Sequence, residues 1–429
     1  MAAFLYALAL LFVPFSYALK PMLQLASITW VQPTLVLAFL VFVLFNAPIR
    51  DKRALCVVIY TFLSASVGYL FMAVSPDRGK SPLYIVYLEP IRICLLMIWF
   101  WVSVEFLSVK RAFVFRWLAI SATFQLVIAS YLYLALYDLV PVPDVVALYL
   151  EVYKLRQTVW FGDTPVYRMA GTFMESPPFG LFMFSCFVVF ATWLTGRRDT
   201  GAQGNSERRW ATLGATVGFV GAVASLSDQI FLAVIVFGLS LYLTVRRSAR
   251  KGSWARKLTE AALGSALLLG VATYALPQVL EKWAEATATA RGEIGTRGQA
   301  GRERMFHVRY GLQLLEENPL AACTGIGPGR YGDYAEKTGQ YPPDVPIQVT
   351  PVAWVVEFGM FGTALILSWL WNIAKRAKQT YSILAMGGCL GLIIANITQG
   401  GWLFEAWFLA LAFLYCAVRE ETPTLALST

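Results

Sequence analysis

Apolar runs of about 20 residues, the length that crosses a hydrocarbon core, recur from one end of this 429-residue chain to the other. Backbone N–H and C=O groups in lipid must be bonded within the protein, so runs of this kind are expected to be helices. Composition agrees: 58% of the residues are hydrophobic and 14% are charged, against roughly 25% charged in a soluble domain. The expected fold is an all-α polytopic membrane protein, a single integral membrane domain over residues 1–429. About twelve spans are read, at about 2–19, 27–48, 54–74, 88–107, 113–137, 179–195, 210–226, 229–245, 259–276, 351–373, 381–397 and 402–418. Residues 1–19 lack a basic start, which favours a retained first helix over a cleaved signal peptide.

Charge orients the spans. With the N-terminus in the cytoplasm, every cytoplasmic connection is short and basic: Arg50–Arg53, Lys110–Arg111, Arg197–Arg209, Arg246–Lys257, Lys375–Lys378 and Arg419. That pattern obeys the positive-inside rule and puts both termini in the cytoplasm. The net charge of +9 then follows from topology and is no sign of nucleic-acid binding. The opposite side carries two large connections, about Asp138–Pro178 and about Pro277–Thr350. No internal repeat is visible, so the repeated halves common in transporters have no support. Cys56, Cys94, Cys186, Cys389 and Cys416 lie in apolar runs and only Cys323 in a polar loop; no Cys/His spacing points to zinc.

The second large connection concentrates its positive charge in RGEIGTRGQAGRERMFHVR, which holds Arg291, Arg297, Arg302, Arg304, Arg309 and the chain's only histidine, His307. Arginine carries a planar fork of donors suited to bidentate grip on phosphate. Beside a bilayer, such a cluster points to a lipid-linked phosphate or diphosphate. A helix is read from about Arg302 to Glu317, stopped by Asn318-Pro319. Met305, Val308, Leu312 and Leu315 form its apolar stripe, and Arg302 and Arg309 share a face. The competing reading is an interfacial helix whose arginines meet anionic lipid. TGIGPGRYGDY follows, with glycines that permit tight turns and close approach of a ligand to backbone N–H groups, and with Arg330. The first connection ends in YRMAGTFMESPPFG, which offers Arg168 to an anion and Glu175 at the membrane edge. Either His307 or Glu175 has chemistry suited to a general base. Glu89, Arg92 and Asp228 are charges at membrane depth, although Glu89 and Arg92 stand one helical turn apart and can neutralise each other.

Three blocks, in this order, resemble the O-antigen ligase and polymerase family of bacterial membrane glycosyltransferases. RMAGTFMESPPFG is similar to the family's R-x-x-G-T-F block. ERMFHVRYGLQLLEENPLAACTGIGPGRYGDY is similar to its arginine-led helix, N-P and glycine run. TPVAWVVEFGMFG is similar to its closing helix, here with Glu357, Gly359 and Gly362. The resemblance implies a GT-C-like architecture in the bacterial inner membrane with a periplasmic active site. It implies a metal-independent transfer, without cofactor, between undecaprenyl-diphosphate-linked oligosaccharides that serve as donor and acceptor. A chain-length-regulating co-polymerase would be a further partner. His307, Arg304 and Glu175 are then the expected catalytic groups, and Arg168, Arg291, Arg302, Arg309 and Arg330 the expected diphosphate grip. Two departures stand out: family ligases have a histidine where this chain has Gln348, and many members have Ser-Arg where it has Ser227-Asp228. These favour a polymerase (Wzy type) over the alternatives, an O-antigen ligase acting on lipid A core or a polysaccharide-lipid transporter.

Overall fold

The computed structural model describes residues 1–15, 32–49, 51–72, 82–143, 158–161, 164–173, 176–196, 201–249, 298–336, 347, 349–381, 383–396 and 404–416. Helices dominate: α1 (Ala2–Phe12), α2 (Pro33–Leu44), α3 (Lys52–Met72), α4 (Pro82–Val109) and α5 (Arg111–Leu136) come first. Next are α6 (Ser176–Gly196), α7 (Gly201–Ala224) and α8 (Asp228–Ala249). Three helices of the second large connection follow, α9 (Gly298–Glu317), α10 (Pro319–Thr324) and α11 (Tyr331–Glu336). The last are α12 (Thr350–Tyr381), α13 (Ile383–Asn396) and α14 (Glu405–Cys416). Among the described residues the one exception to the all-helical expectation is an antiparallel hairpin, β1 (Thr158–Phe161) with β2 (Thr164–Tyr167).

Among the described residues five helices, α3, α4, α5, α6 and α12, are long and apolar enough to cross a membrane. Shorter apolar helices lie in α1, α2, α8, α13 and α14. Every expected span from 2–19 to 229–245 and from 351–373 to 402–418 overlaps a helix, while the one expected at about 259–276 lies outside the described residues.

Small residues let the helices close on one another, as they must where lipid offers no hydrophobic drive for association. Gly214, Gly218 and Gly221 of α7 face Phe190, Phe187 and Met183 of α6, an antiparallel match read off the opposed numbering. Gly387 and Gly391 of α13 likewise face Ser240 and Ala233 of α8. An aromatic core fills the centre: Trp99, Trp369 and Trp407 are fully buried, and Phe100 meets Trp369 edge-on at 5.5 Å. At one end of the bundle Asn372 donates to the Asp51 carboxylate at 3.1 Å and Arg53 to the Ser368 carbonyl at 3.0 Å, joining the start of α3 to the later part of α12. The opposite end holds the C-terminus of α3 and the N-terminus of α12, and α9 to α11 pack there.

That packing depends on a break in α12. Gly359 has φ 66° and ψ −175°, outside the helical region, and the carbonyls before it are released from the helix ladder. Ile326 N–H donates to Val356 O at 3.0 Å and Gly327 N–H to Glu357 O at 3.1 Å. The Tyr60 hydroxyl donates to Phe358 O at 3.1 Å, and the Ser64 hydroxyl reaches Glu357 O at 3.2 Å. A broken helix at membrane depth is tolerated where neighbours satisfy the freed groups in this way.

Candidate functional site

Helix α9 ends as expected, at Asn318-Pro319, but its buried face is rotated from the expected stripe. Met305 is 53% exposed and Leu312 43%, whereas His307, Gly311 and Leu314 are buried. Of the expected apolar stripe only Leu315 is buried, with Val308 half-buried. The physical reason is the partner surface. Gly311 lets α9 close on Val356 of α12, since a Cβ there would lie 3.0 Å from the valine methyl. His307, 1% exposed, shares a 2.9 Å hydrogen bond between its Nδ1 and the Tyr331 hydroxyl. The Tyr310 hydroxyl donates to the Tyr334 carbonyl at 2.9 Å. Burial pushes the Tyr310 hydroxyl up and the Tyr334 hydroxyl up to about 12.

A general base must reach the hydroxyl it deprotonates. His307 is enclosed, so its place in the structure is that of a polar pin between α9 and α11. His307→Ala should cost about 1–3 kcal/mol of stability, because the Tyr331 hydroxyl is left without its ring partner. Thermal melting of the purified variant in detergent checks this, and His307→Gln, which keeps a polar partner, should recover part of the loss.

The glycine run 325–330 proves to be a backbone-packing device. Gly325 N–H bonds to Ala321 O, Ile326 and Gly327 N–H to α12, and Arg330 N–H to Gly327 O. Pro328 has no N–H. Four of the run's five backbone N–H groups are therefore bonded to backbone carbonyls within the protein. The close approach that glycine permits is to other backbone, with Gly325 set against Glu357 and Gly359 against Cys323.

Charged groups surround this run. Glu89 of α4 pairs with Arg92 at 3.5 Å and abuts Gly329. Arg330 and Asp333, 1% and 8% exposed, form an ion pair at 3.3 Å. Arg330 is thus enclosed beside a carboxylate, which its Nε meets. Arg309 is exposed on α9. Arg302 and Arg304 lie in the first turns of the same helix, Arg304 one turn before His307. Arg291, Glu175 and Gln348 lie outside the described residues.

Arg168 is different from the other arginines. It follows β2, and its neighbour Met169 donates a backbone hydrogen bond to Ala224 O at 3.2 Å, at the end of α7. The residue is half-buried, its Nε is enclosed without a hydrogen-bond partner among the described residues, and no carboxylate there pairs with it. Desolvation pulls its guanidinium below the ordinary arginine range. Of the other enclosed polar atoms that lack partners among the described residues, two belong to adjoining segments, the Ser176 hydroxyl at the start of α6 and Oε1 of Gln229. Gly180 of α6 packs against Ser225 and Ile230, so Arg168, Ser176 and Gln229 belong to segments that meet at the α7–α8 turn. Buried polar groups are nearly always satisfied, so such a set calls for a ligand or water. A guanidinium, a hydroxyl and the N-terminus of a 21-residue helix are each suited by their chemistry to an anion.

The sequence singles out Arg168 but neither Ser176 nor Gln229, because nothing in a pattern tells which polar residues end up enclosed. Among the described residues no group of three His, Cys, Asp or Glu side chains is placed to hold a metal ion. Neither a protein-family model nor a curated protein matches this chain.

Proposed function

We propose that the protein is a membrane glycosyltransferase of the polymerase type, with about twelve spans and a GT-C-like fold. It joins undecaprenyl-diphosphate-linked glycan repeat units at the periplasmic face of a bacterial inner membrane, without metal. The observation that carries this reading is Arg168, a half-buried cation with no carboxylate partner among the described residues, at the loop-bearing end of a membrane bundle. The three resembling sequence blocks add the family.

In the proposed reaction a hydroxyl of the acceptor glycan attacks the anomeric carbon of the donor. A C–O bond forms there, the bond to the diphosphate oxygen breaks, and the electron pair leaves with undecaprenyl diphosphate. Charge builds on that leaving group, and preorganised guanidinium groups lower the barrier by meeting it. Arg168 is the first of them, and the arginines of α9, Arg302, Arg304 and Arg309, are the others. The hydroxyl proton goes to Glu175, the residue just before Ser176 in the sequence. His307, the other candidate base, is 1% exposed and hydrogen-bonded to the Tyr331 hydroxyl.

Gel analysis of surface and lipid-linked glycan in a deletion strain tests the reading. A polymerase leaves single repeat units on the lipid carrier when lost. Long lipid-linked chains would instead identify a ligase, and unchanged glycan would reject both.

A further inference from the structure

We infer that Asn396 of α13 binds hydroxyl groups of the glycan, next to the lipid diphosphate at Arg168. This rests on the polymerase reading and names which part of the substrate meets α13. Asn396 is 2% exposed, and neither its Nδ2 nor its Oδ1 has a hydrogen-bond partner among the described residues. Its backbone carbonyl, by contrast, accepts from the Thr350 hydroxyl at 2.6 Å, at the start of α12. A buried amide bare at both ends calls for a ligand or a water.

Helix register fixes the level of that amide. Gly387 and Gly391 of α13 meet Ser240 and Ala233 of α8, which brings Asn396 level with Gln229 and Ile230. Gly388 and Gly391 meet Val188 and Phe184 of α6, which brings it level with Phe179 and Gly180. The two registers agree, because Gly180 packs on Ile230. Gly180 also packs on Ser225, at the α7–α8 turn beside which Met169 bonds to Ala224 O. Ser176 begins α6 one turn further out. On α13, Asn396 shares the side of buried Cys389 and Leu392, half a turn round from Gly387, so it points into the bundle and away from α8.

The unpartnered atoms select the ligand. A diphosphate only accepts hydrogen bonds, so it suits the Arg168 Nε and the Ser176 hydroxyl but leaves one end of the Asn396 amide bare. Whichever way that amide is turned, one of its atoms must accept. A sugar hydroxyl both donates and accepts, and so matches both ends.

Polymerisation by the purified full chain in detergent tests this, with lipid-linked repeat units extracted from the deletion strain as substrate and undecaprenyl diphosphate as competitor. Asn396→Leu should melt at or above the parent temperature, because an apolar group of similar size replaces a bare amide. It should raise the KM for the repeat unit about ten-fold or more, with inhibition by undecaprenyl diphosphate unchanged. Asn396→Ala, read in the same way, stands in if leucine does not fit. An unchanged KM overturns the inference and leaves a buried water as the partner of the amide. An equal loss of inhibition by undecaprenyl diphosphate overturns it too, since the amide would then grip the diphosphate. So does early melting of both variants, which would mean that the amide is bonded within the fold. In all three cases the polymerase reading stands on the activity of the parent protein. If the parent makes no polymer, that reading fails and the inference falls with it.

Discussion

Gly325→Ala should leave little folded protein. Gly325 has φ +81°, and an added methyl would fall on the carbonyl group of Glu357, which is backbone and cannot swing aside. Gly359 is the reciprocal case, with φ +66° and a methyl directed onto the Cys323 carbonyl. The left-handed conformation alone costs a non-glycine residue about 1–3 kcal/mol. Parting the two segments also removes the Ile326–Val356 and Gly327–Glu357 bonds, leaving the break in α12 with bare carbonyls. Together the loss should reach about 3–5 kcal/mol, the range of a severe single substitution. Size-exclusion profiles and melting curves in detergent measure it. Gly311→Ala is the control, because its methyl meets side chains and no backbone, Val356 at 3.0 Å and Ile347 at 3.4 Å first. If Gly325→Ala and Gly359→Ala both melt like the parent protein, the backbone contact between the run and the broken helix is not what holds this end together.

Arg168→Ala should abolish polymer formation while the fold survives. Removing a guanidinium that grips a desolvated diphosphate costs about 2–5 kcal/mol, roughly thirty-fold to several-thousand-fold in rate. Arg168→Lys keeps the charge but not the two-pronged fork, so it should restore only part of the activity. Stability separates this from a structural role. The Arg168 guanidinium is desolvated and has no carboxylate partner among the described residues, so deleting it should leave the melting temperature unchanged or raised. A variant that melts early, or one that polymerises normally, contradicts an anion site at the start of α6.

One feature of this site was legible before the fold. The stop of α9 at Asn318-Pro319 can be picked out from residue type alone, since proline lacks a donor, whereas the break at Gly359 lies inside a stretch that reads as one span, 351–373. The direction of α9 was not legible. Apolar periodicity marks Met305, Val308, Leu312 and Leu315 as the inward stripe, yet beside a bilayer the outside is apolar too, and the inward face is chosen by Gly311 and the His307–Tyr331 pair. The glycine run was likewise ambiguous, because four glycines permit approach to a ligand or to another backbone with equal ease.

What the residues determined unaided is the helical, membrane-embedded character of the chain, since lipid admits few other solutions for stretches this long and apolar. What only the tertiary structure decided is which polar groups have partners. Arg330 finds Asp333 and is enclosed with it, whereas Arg168 finds no acid among the described residues. Arginines look alike in a sequence. Pairing depends on which distant segments meet, and desolvation acts on a charge only after they have met.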